Sequence, residues 1–338
     1  MWAFLARQWN HSLWTGCTFW DLIQPSFMFM VGVAIPFSYA GRRERGESYG
    51  RIYAHAVFRS VLFVVLGLVG VLMLRRIAML AVPYPVPIQT THILVQIGLT
   101  YGLAYPFIRC RPRTQFFAAL AIYLAYYVAY LLWPAPGPGL WAHFQKSTNL
   151  GGSWDRWMVD LSPTDWLDHV HVLGLTSLNF VPGVSTVLTG MMTGEFLRGP
   201  RAPEDKTARL VRVGAVCFVV GLLLSYTICP MVKLLWTLSF AIYSTAWTLW
   251  FLAAFYWLID VKGWRGWSVP FVAVGVNSIV VFLLYFTVDW WIWKAWTVVL
   301  GNGLFESTYG PLWSSVVVLI SLWAIAGVLY WRRIFVRL

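Results

Sequence analysis

The sequence predicts an all-α fold, a polytopic transmembrane bundle of about nine helices. Three observations carry that prediction. Only 11% of the residues are charged while 59% are hydrophobic, and a soluble domain of this length needs roughly a quarter of its residues charged to cover its surface. Apolar runs of ~18 or more residues recur from end to end, each able to cross ~30 Å of hydrocarbon at about 1.5 Å per residue. The lysines and arginines lie in short loops between those runs, so the net charge of +12 reads as a topology signal and not as a nucleic-acid surface. The partner these features imply is a lipid bilayer.

The apolar runs place spans at 18–40, 53–74, 91–109, 115–133, 171–197, 209–228, 236–259, 268–289 and 312–331. The first leaves a polar opening and stops at the arginines of RRER. The second carries Arg59 and stops at Arg75 and Arg76; the third holds Gln96 and the pair Gly98/Gly102 and stops at Arg109. The fourth runs into PAPGPG, and the fifth holds Gly190/Gly194 and ends before Arg198. Glycines four apart let helices approach closely, so both pairs predict packing seams. The sixth stops at Cys229-Pro230 and the seventh near Asp260. The eighth holds Asn277 and meets Trp290, Trp291, Trp293 and Trp296, an aromatic belt for the outer interface, and the ninth ends at Arg332 and Arg333.

Seventeen of the 25 lysines and arginines occupy alternate loops, at 42–51, 109–113, 198–212, 262–265 and 332–337, against seven on the other side. The positive-inside rule then puts the C-terminus in the cytoplasm and His11 outside. Nine spans with that orientation place the N-terminus outside with no export signal, which predicts a further helix ahead of residue 1. The longest connection, about 134–170, is external and is expected to be functional. It carries NLGGSWDRW and then Asp160, Asp165, Asp168, His169 and His171, whose spacing matches no zinc pattern. The four cysteines show no CxxC spacing, and free thiols are expected, with Cys17 and Cys229 near one membrane face. No metal is expected, and residues 1–338 read as one membrane-embedded domain.

The first span opens with HSLWTGCTFWDLIQPSFMFMVG, residues 11–32. Thr18, Asp21 and Gln24/Pro25, continued by Met28 and Gly32, recur at helical spacing and form a polar stripe that should face the bundle interior. His11 precedes it at the outer mouth, where an imidazole can act as base or nucleophile near neutral pH and a carboxylate can fix its tautomer. The competing reading makes His11 an interfacial residue and Asp21 a brace. Arg59 lies close enough to the inner end to snorkel, whereas Asn277 is deep and needs partners. Asp155 and Arg156 suit an external ion pair. No phosphate-binding loop, nucleophile elbow or dinucleotide fingerprint occurs in a suitable context.

An ordered set of segments resembles the heparan-α-glucosaminide N-acetyltransferase family, multi-pass membrane acyltransferases with a lysosomal animal branch and many bacterial members. The segments are HSLWTGCTFWDLIQPSFMFMVGVAIPFS (11–38), FRS (58–60), VQIGLTY (95–101), NLGGSWDRW (149–157), VPGVSTVLTGMMTGEFLR (181–198), PMVKLLWTLSF (230–240), LIDVKGW (258–264) and GVNSIVVF (275–282). The resemblance implies acetyl transfer from cytosolic acetyl-CoA to the amine of a glucosamine-type sugar on the far side of a bacterial cytoplasmic membrane. It implies that His11 is catalytic, with Asp21 beside it. Arg59 would meet the acetyl-CoA phosphates, and Lys233, Trp236, Ser239 or Asn277 would supply oxyanion donors. Asn149, Asp155 and Arg156 are the candidate acceptor contacts. A homo-oligomer is compatible with this reading.

The chain departs from the family pattern in three places. A helix ahead of the histidine is not visible, Gln96 stands where the family's LQRxGxxY-like segment has arginine, and HVLGLTSLNF (171–180) replaces an acidic DPEG-like segment. A glycan-precursor carrier on the same scaffold, or an inactive remnant, are the rival functions.

Overall fold

The computed structural model describes residues 2–81, 93–146, 148–160 and 177–336. These form two compact units, Met1–Val261 and Lys262–Leu338. The first contains α1 (Trp2–Gln8), α2 (Ile23–Glu44), α3 (Tyr49–Ala81), α4 (Ile93–Ala104), α5 (Pro112–Leu132), α6 (Leu150–Asp160), α7 (Phe180–Arg198), α8 (Pro203–Thr227) and α9 (Leu238–Tyr256). The second contains α10 (Val269–Val276), α11 (Ser278–Leu300), α12 (Asn302–Phe305) and α13 (Gly310–Trp331). Among the described residues no strand forms, and Gly16 and Val232 make an isolated β-bridge. The protein is an all-α, multi-pass helical membrane protein.

Among the described residues, six helices are long and apolar enough to cross a membrane: Trp20–Glu44, Tyr49–Val69, Pro112–Leu132, Pro203–Thr227, Leu238–Val261 and Gly310–Trp331. The differences from the nine expected spans have physical causes. The run 91–109 becomes the short α4 followed by a 3₁₀ turn over Tyr105–Arg109, with Pro106 in its first turn. The run 171–197 becomes α7, which is rich in glycine, serine and threonine and buried along most of its length. A helix walled in by other helices has no need of lipid-facing side chains, which explains its modest hydropathy. The run 268–289 is broken at Asn277, where Gly266–Val276 and Ser278–Tyr285 meet at 70°. Asn277 is fully buried there. Its side chain donates to Ile334 O (3.1 Å) and accepts from Val336 N (3.0 Å), tying the break to the C-terminal segment. Trp290, Trp291, Trp293 and Trp296 lie within α11.

The first unit is assembled around α7. Helix α2 packs along it, α4 and α5 flank it, α3 packs on α4, and α8 packs on α9. The α2–α7 seam is backbone against backbone. A Cβ on Gly190 would collide with the Phe29 carbonyl, one on Gly194 with the Val33 carbonyl, and one on Gly32 with the Val187 carbonyl. The predicted packing role of Gly98/Gly102 also holds, against Ser60 of α3. Close approach of this kind substitutes for hydrophobic driving force, which is weak between helices in lipid.

Chain direction sorts the unit into two ends. Helix α2 ends at Arg42 and Arg43, which with Arg45 engage Glu47, and Arg109 stacks on Tyr49 at 4.9 Å. The opposite end gathers residues 9–20 and 133–146 and the α8–α9 connection, joined by Trp14 Nε1 donating to Phe144 O (3.0 Å) and Gly16 N donating to Met231 O (2.8 Å).

The seam yields a test. Gly190→Val is expected to destabilise the protein by more than about 3 kcal/mol, because the added methyls meet backbone that cannot yield. Gly327→Ala on α13, whose Cβ would meet nothing within 4 Å, should leave stability unchanged or slightly raised. Thermal unfolding in detergent, followed by size-exclusion chromatography, checks both.

Candidate active site

The site begins with one carboxylate in an unusual place. Asp21 lies in the 3₁₀ turn Trp20–Leu22 that leads into α2, and its side chain is 0% exposed. A buried charge is tolerated only when paired and hydrogen-bonded, and Asp21 has partners on both oxygens. Oδ2 accepts from Ser12 N (3.1 Å) and Thr18 N (3.1 Å). Thr18 Oγ1 lies 3.0 Å from Oδ2 and 2.7 Å from Asn10 O, so its one proton serves either. Oδ1 faces His11 Nδ1 at 2.8 Å and Lys233 Nζ at 3.2 Å. The chain from residue 10 to 18 is thereby wound around the carboxylate.

His11 is the outward member, with its side chain 58% exposed. Its ring lies 6.5 Å from that of Trp20. Lys233 is the third member, 12% exposed, with Nζ 3.0 Å from His11 Nδ1. Burial pulls the Lys233 ammonium below the usual lysine range, and the Asp21 charge pushes back in the opposite direction.

Backbone geometry delivers Lys233 to this place. Gly16 adopts φ +105°, open to glycine but strained for other residues, and its N–H reaches Met231 O. Across the bridge, Val232 N donates to Thr237 Oγ1 (2.9 Å) and Trp236 N donates to Lys233 O (2.9 Å), closing a turn. Trp236 takes a left-handed conformation at φ +52°. A bulky residue holds that conformation only when its surroundings fix it. Here the indole is 1% exposed and donates to Thr186 Oγ1 of α7 (3.1 Å).

The other sequence candidates are distributed differently. Trp236 and Ser239 are buried behind Lys233. The Ser239 hydroxyl neighbours Thr237 Oγ1 at 3.4 Å and Cys229 Sγ at 3.9 Å. Asn149 caps α6, accepting from Gly152 N (2.9 Å) and donating to Gln145 O (2.7 Å). Asp155 accepts from Ser177 N (3.0 Å) and its hydroxyl, and Arg156 donates to Ser153 Oγ (2.8 Å). Asn277 belongs to the second unit. Arg59 lies toward the arginine end, 5.6 Å from the Tyr101 ring, and its buried Nε has no hydrogen-bond partner among the described residues. Asp165, Asp168, His169 and His171 fall outside the described residues. Cys17 and Cys229 are free thiols. Burial, then the Asp21 charge, pushes Cys17 up to about 12.

Sequence reasoning did not anticipate Asn179, which accepts from Gln96 Nε2 (2.6 Å), while Gln96 Oε1 accepts from Gln24. The three amides join α2, α4 and the turn before α7. Gln24 and Gln96 stood out as membrane-embedded polar residues, but nothing in their spacing showed that they meet.

Comparison with known proteins adds a second line. No family model matches the chain. Over 326 residues it is 25% identical to human heparan-alpha-glucosaminide N-acetyltransferase, covering 81% of this chain and 48% of that protein. The mouse protein of the same name is 24% identical over 324 residues with the same coverage. The relationship is distant. The chain spans about half the length of the curated relatives it matches.

The cluster makes a prediction independent of any reaction. Asp21→Ala strips the acceptor from Ser12 N and Thr18 N, and an abandoned buried donor costs about 1–3 kcal/mol. Hydrogen exchange with mass spectrometry should show residues 10–20 exchanging at least about tenfold faster, while the α2–α7 seam keeps its protection.

Proposed function

We propose that the chain is a membrane acetyltransferase that takes an acetyl group from acetyl-CoA at the arginine-rich, cytosolic end. It passes that group to the amine of a glucosamine-type sugar at the opposite end. The observation that carries this reading is the contact between the exposed His11 and the buried Asp21. With the Nδ1 proton donated to Asp21, the ring's lone pair sits on Nε2, and the carboxylate stabilises the positive charge that develops as Nε2 reacts. The distant similarity to two N-acetyltransferases supports the reaction class.

Two routes use the same nitrogen. In one, Nε2 attacks the thioester carbonyl carbon, the C–S bond breaks and CoA leaves as the thiolate. The sugar amine then attacks the acetyl carbon and the bond to Nε2 breaks. In the other, Nε2 takes the amine proton as the amine nitrogen attacks the thioester carbonyl carbon directly, the C–S bond breaks and CoA leaves as the thiolate. Among the described residues Lys233 is the lysine in contact with the His11 ring, and it is the proposed counter-charge for the carbonyl oxygen.

Acetyl-CoA fits the arginine end as a substrate. Arg59, whose Nε has no acceptor among the described residues, lies over Tyr101, and Arg42 is near Tyr101 and Tyr105. Three residues separate Asp21 from Gln24, Gln24 bonds Gln96, and five more reach Tyr101. At helical rise, the Arg59 level is therefore about 12 Å below Asp21, within reach of an extended pantetheine arm. The positive-inside asymmetry supports a cytosolic arginine end, and Asn149, Asp155 and Arg156 remain the proposed acceptor-side contacts. A bacterial cytoplasmic membrane is the proposed location.

The test uses the purified chain in proteoliposomes with radiolabelled acetyl-CoA and glucosamine. Acetylated glucosamine should form, and His11→Ala should reduce its rate by about 10²–10⁴-fold while the protein stays folded, since Asp21 keeps Lys233, Ser12 N and Thr18 N as partners. Full activity in His11→Ala would remove that residue from the mechanism. Solute movement independent of acetyl-CoA would establish a carrier instead.

A further inference from the structure

His11 Nδ1 has two partners where it can serve one. Nδ1, Asp21 Oδ1 and Lys233 Nζ form a triangle with sides of 2.8, 3.2 and 3.0 Å. In a neutral imidazole, Nδ1 offers a single in-plane position holding either a proton or a lone pair. If it holds the proton it donates to Asp21 and Nε2 keeps the lone pair. If it holds the lone pair it accepts from the Lys233 ammonium and Nε2 carries the proton. The Lys233–Asp21 bond is compatible with both arrangements, so the frustration is confined to the ring.

We propose that Lys233 is a positioning residue that, against Asp21, selects which nitrogen of His11 carries the lone pair. The exchange moves one proton from Nδ1 to Nε2 through water, which reaches the half-exposed ring, and no bond to carbon changes. The inference rests on the acetyl-transfer reading for its consequence. Nε2 is a nucleophile or base only in the carboxylate-bound arrangement, and the ammonium-bound arrangement is a resting form.

The surroundings support a selector of this kind. Among the described residues, the titratable groups set against the pair are Asp21 at the start of α2, Cys17 from the preceding loop and Lys233 from the α8–α9 connection. Cys17 is held as the neutral thiol, so it adds no competing charge. Lys233 is fixed by backbone on both sides, through the bridge at Val232 and the Trp236 turn. Its side chain is 12% exposed and bonded to Asp21, which gives it less freedom than a surface lysine has. Burial lowers its pKa, so it loses its proton at lower pH than an exposed lysine. Raising the pH should therefore drain the ammonium-bound arrangement and enrich the Nε2 lone pair.

Nitrogen NMR of the full chain, ¹⁵N-labelled at histidine in lipid nanodiscs, tests this with no substrate present. The His11 signals are assigned by their loss in His11→Gln. In the wild type both ring nitrogens should show shifts between the protonated and lone-pair limits, moving toward Nδ1–H as the pH is raised. Lys233→Met should collapse the ring onto Nδ1–H, and Lys233→Arg should restore the mixture. A wild-type ring that is purely Nδ1–H at every pH overturns the proposal without need of any variant, as does a mixture that persists in a folded Lys233→Met. Absence of acetyl transfer by the wild type would sink the functional reading and leave these spectra as they are. A single tautomer would sink the selector and leave acetyl transfer standing.

Discussion

A carboxylate with no access to water must find its solvation in the protein, and the His11 end of this molecule is built to supply it. Asp21 organises the backbone of residues 10–18, receives Lys233 from a connection more than 200 positions away in sequence, and orients His11. Removing a partner from such a group leaves an uncompensated buried charge, which is why each element around it is constrained in turn. Gly16 must be left-handed to pair the two loops, and Trp236 must be left-handed to turn the second loop into α9. The strain at Trp236 is held by its burial and by its bond to Thr186 of the central helix. The His11 end and the core are therefore one mechanical unit.

The same logic runs through the interior of the bundle. Helices α2 and α7 approach so closely that glycine is required on both, and that leaves room beside the seam for polar groups. Gln24, Gln96 and Asn179 satisfy one another; Ser26 meets Thr248 at 2.8 Å; Tyr123 and Trp236 both reach Thr186. In hydrocarbon, unsatisfied polar groups are costly, and groups that pair across helices specify which helix lies beside which. The lipid-facing helices carry the opposite composition. Val216, Val219 and Leu223 of α8 are exposed and apolar.

What could be read in the sequence follows from which features are local. The polar stripe of Thr18, Asp21 and Gln24/Pro25, continued by Met28 and Gly32, was legible because helical spacing puts those residues on one face; all are buried except Gln24, which is half-buried. The glycine pairs were legible for the same reason. Each of the nine apolar runs holds a described helix, and six helices pass as long, apolar spans among the described residues because hydropathy stops being diagnostic at the others. Helix α7 is hidden from lipid, and the run 268–289 is one apolar stretch whose break depends on Asn277 finding the chain 57 residues later. Lys233 entered through the family resemblance as a candidate oxyanion donor, but its distance to His11 is set by a bridge between two loops. The left-handed angle at Trp236 has no sequence signal, since tryptophan does not favour it. Asn149 and Asp155 read as recognition residues, yet their observed bonds are to local backbone and to Ser177.

The separation of the two ends bears on how a transfer reaction could be kept directional. If acetyl-CoA is held by cations near Arg59 and the acceptor arrives near His11, only the acyl-bearing arm has to cross the intervening helix turns. The nucleotide can then remain at the arginine-rich end. In the interior between the ends, amides and hydroxyls pair with one another, Gln24 and Asn179 with Gln96 and Ser26 with Thr248. What remains is to ensure that the histidine is nucleophilic only when useful. An exposed ring bonded by Asp21 alone would hold its Nε2 lone pair continuously toward solvent. Placing Lys233 on the same nitrogen supplies a second arrangement of nearly the same geometry, in which that lone pair is withdrawn. A single proton separates the two arrangements, so the change requires no movement of the helices. It can therefore coexist with a core as tightly packed as the α2–α7 seam.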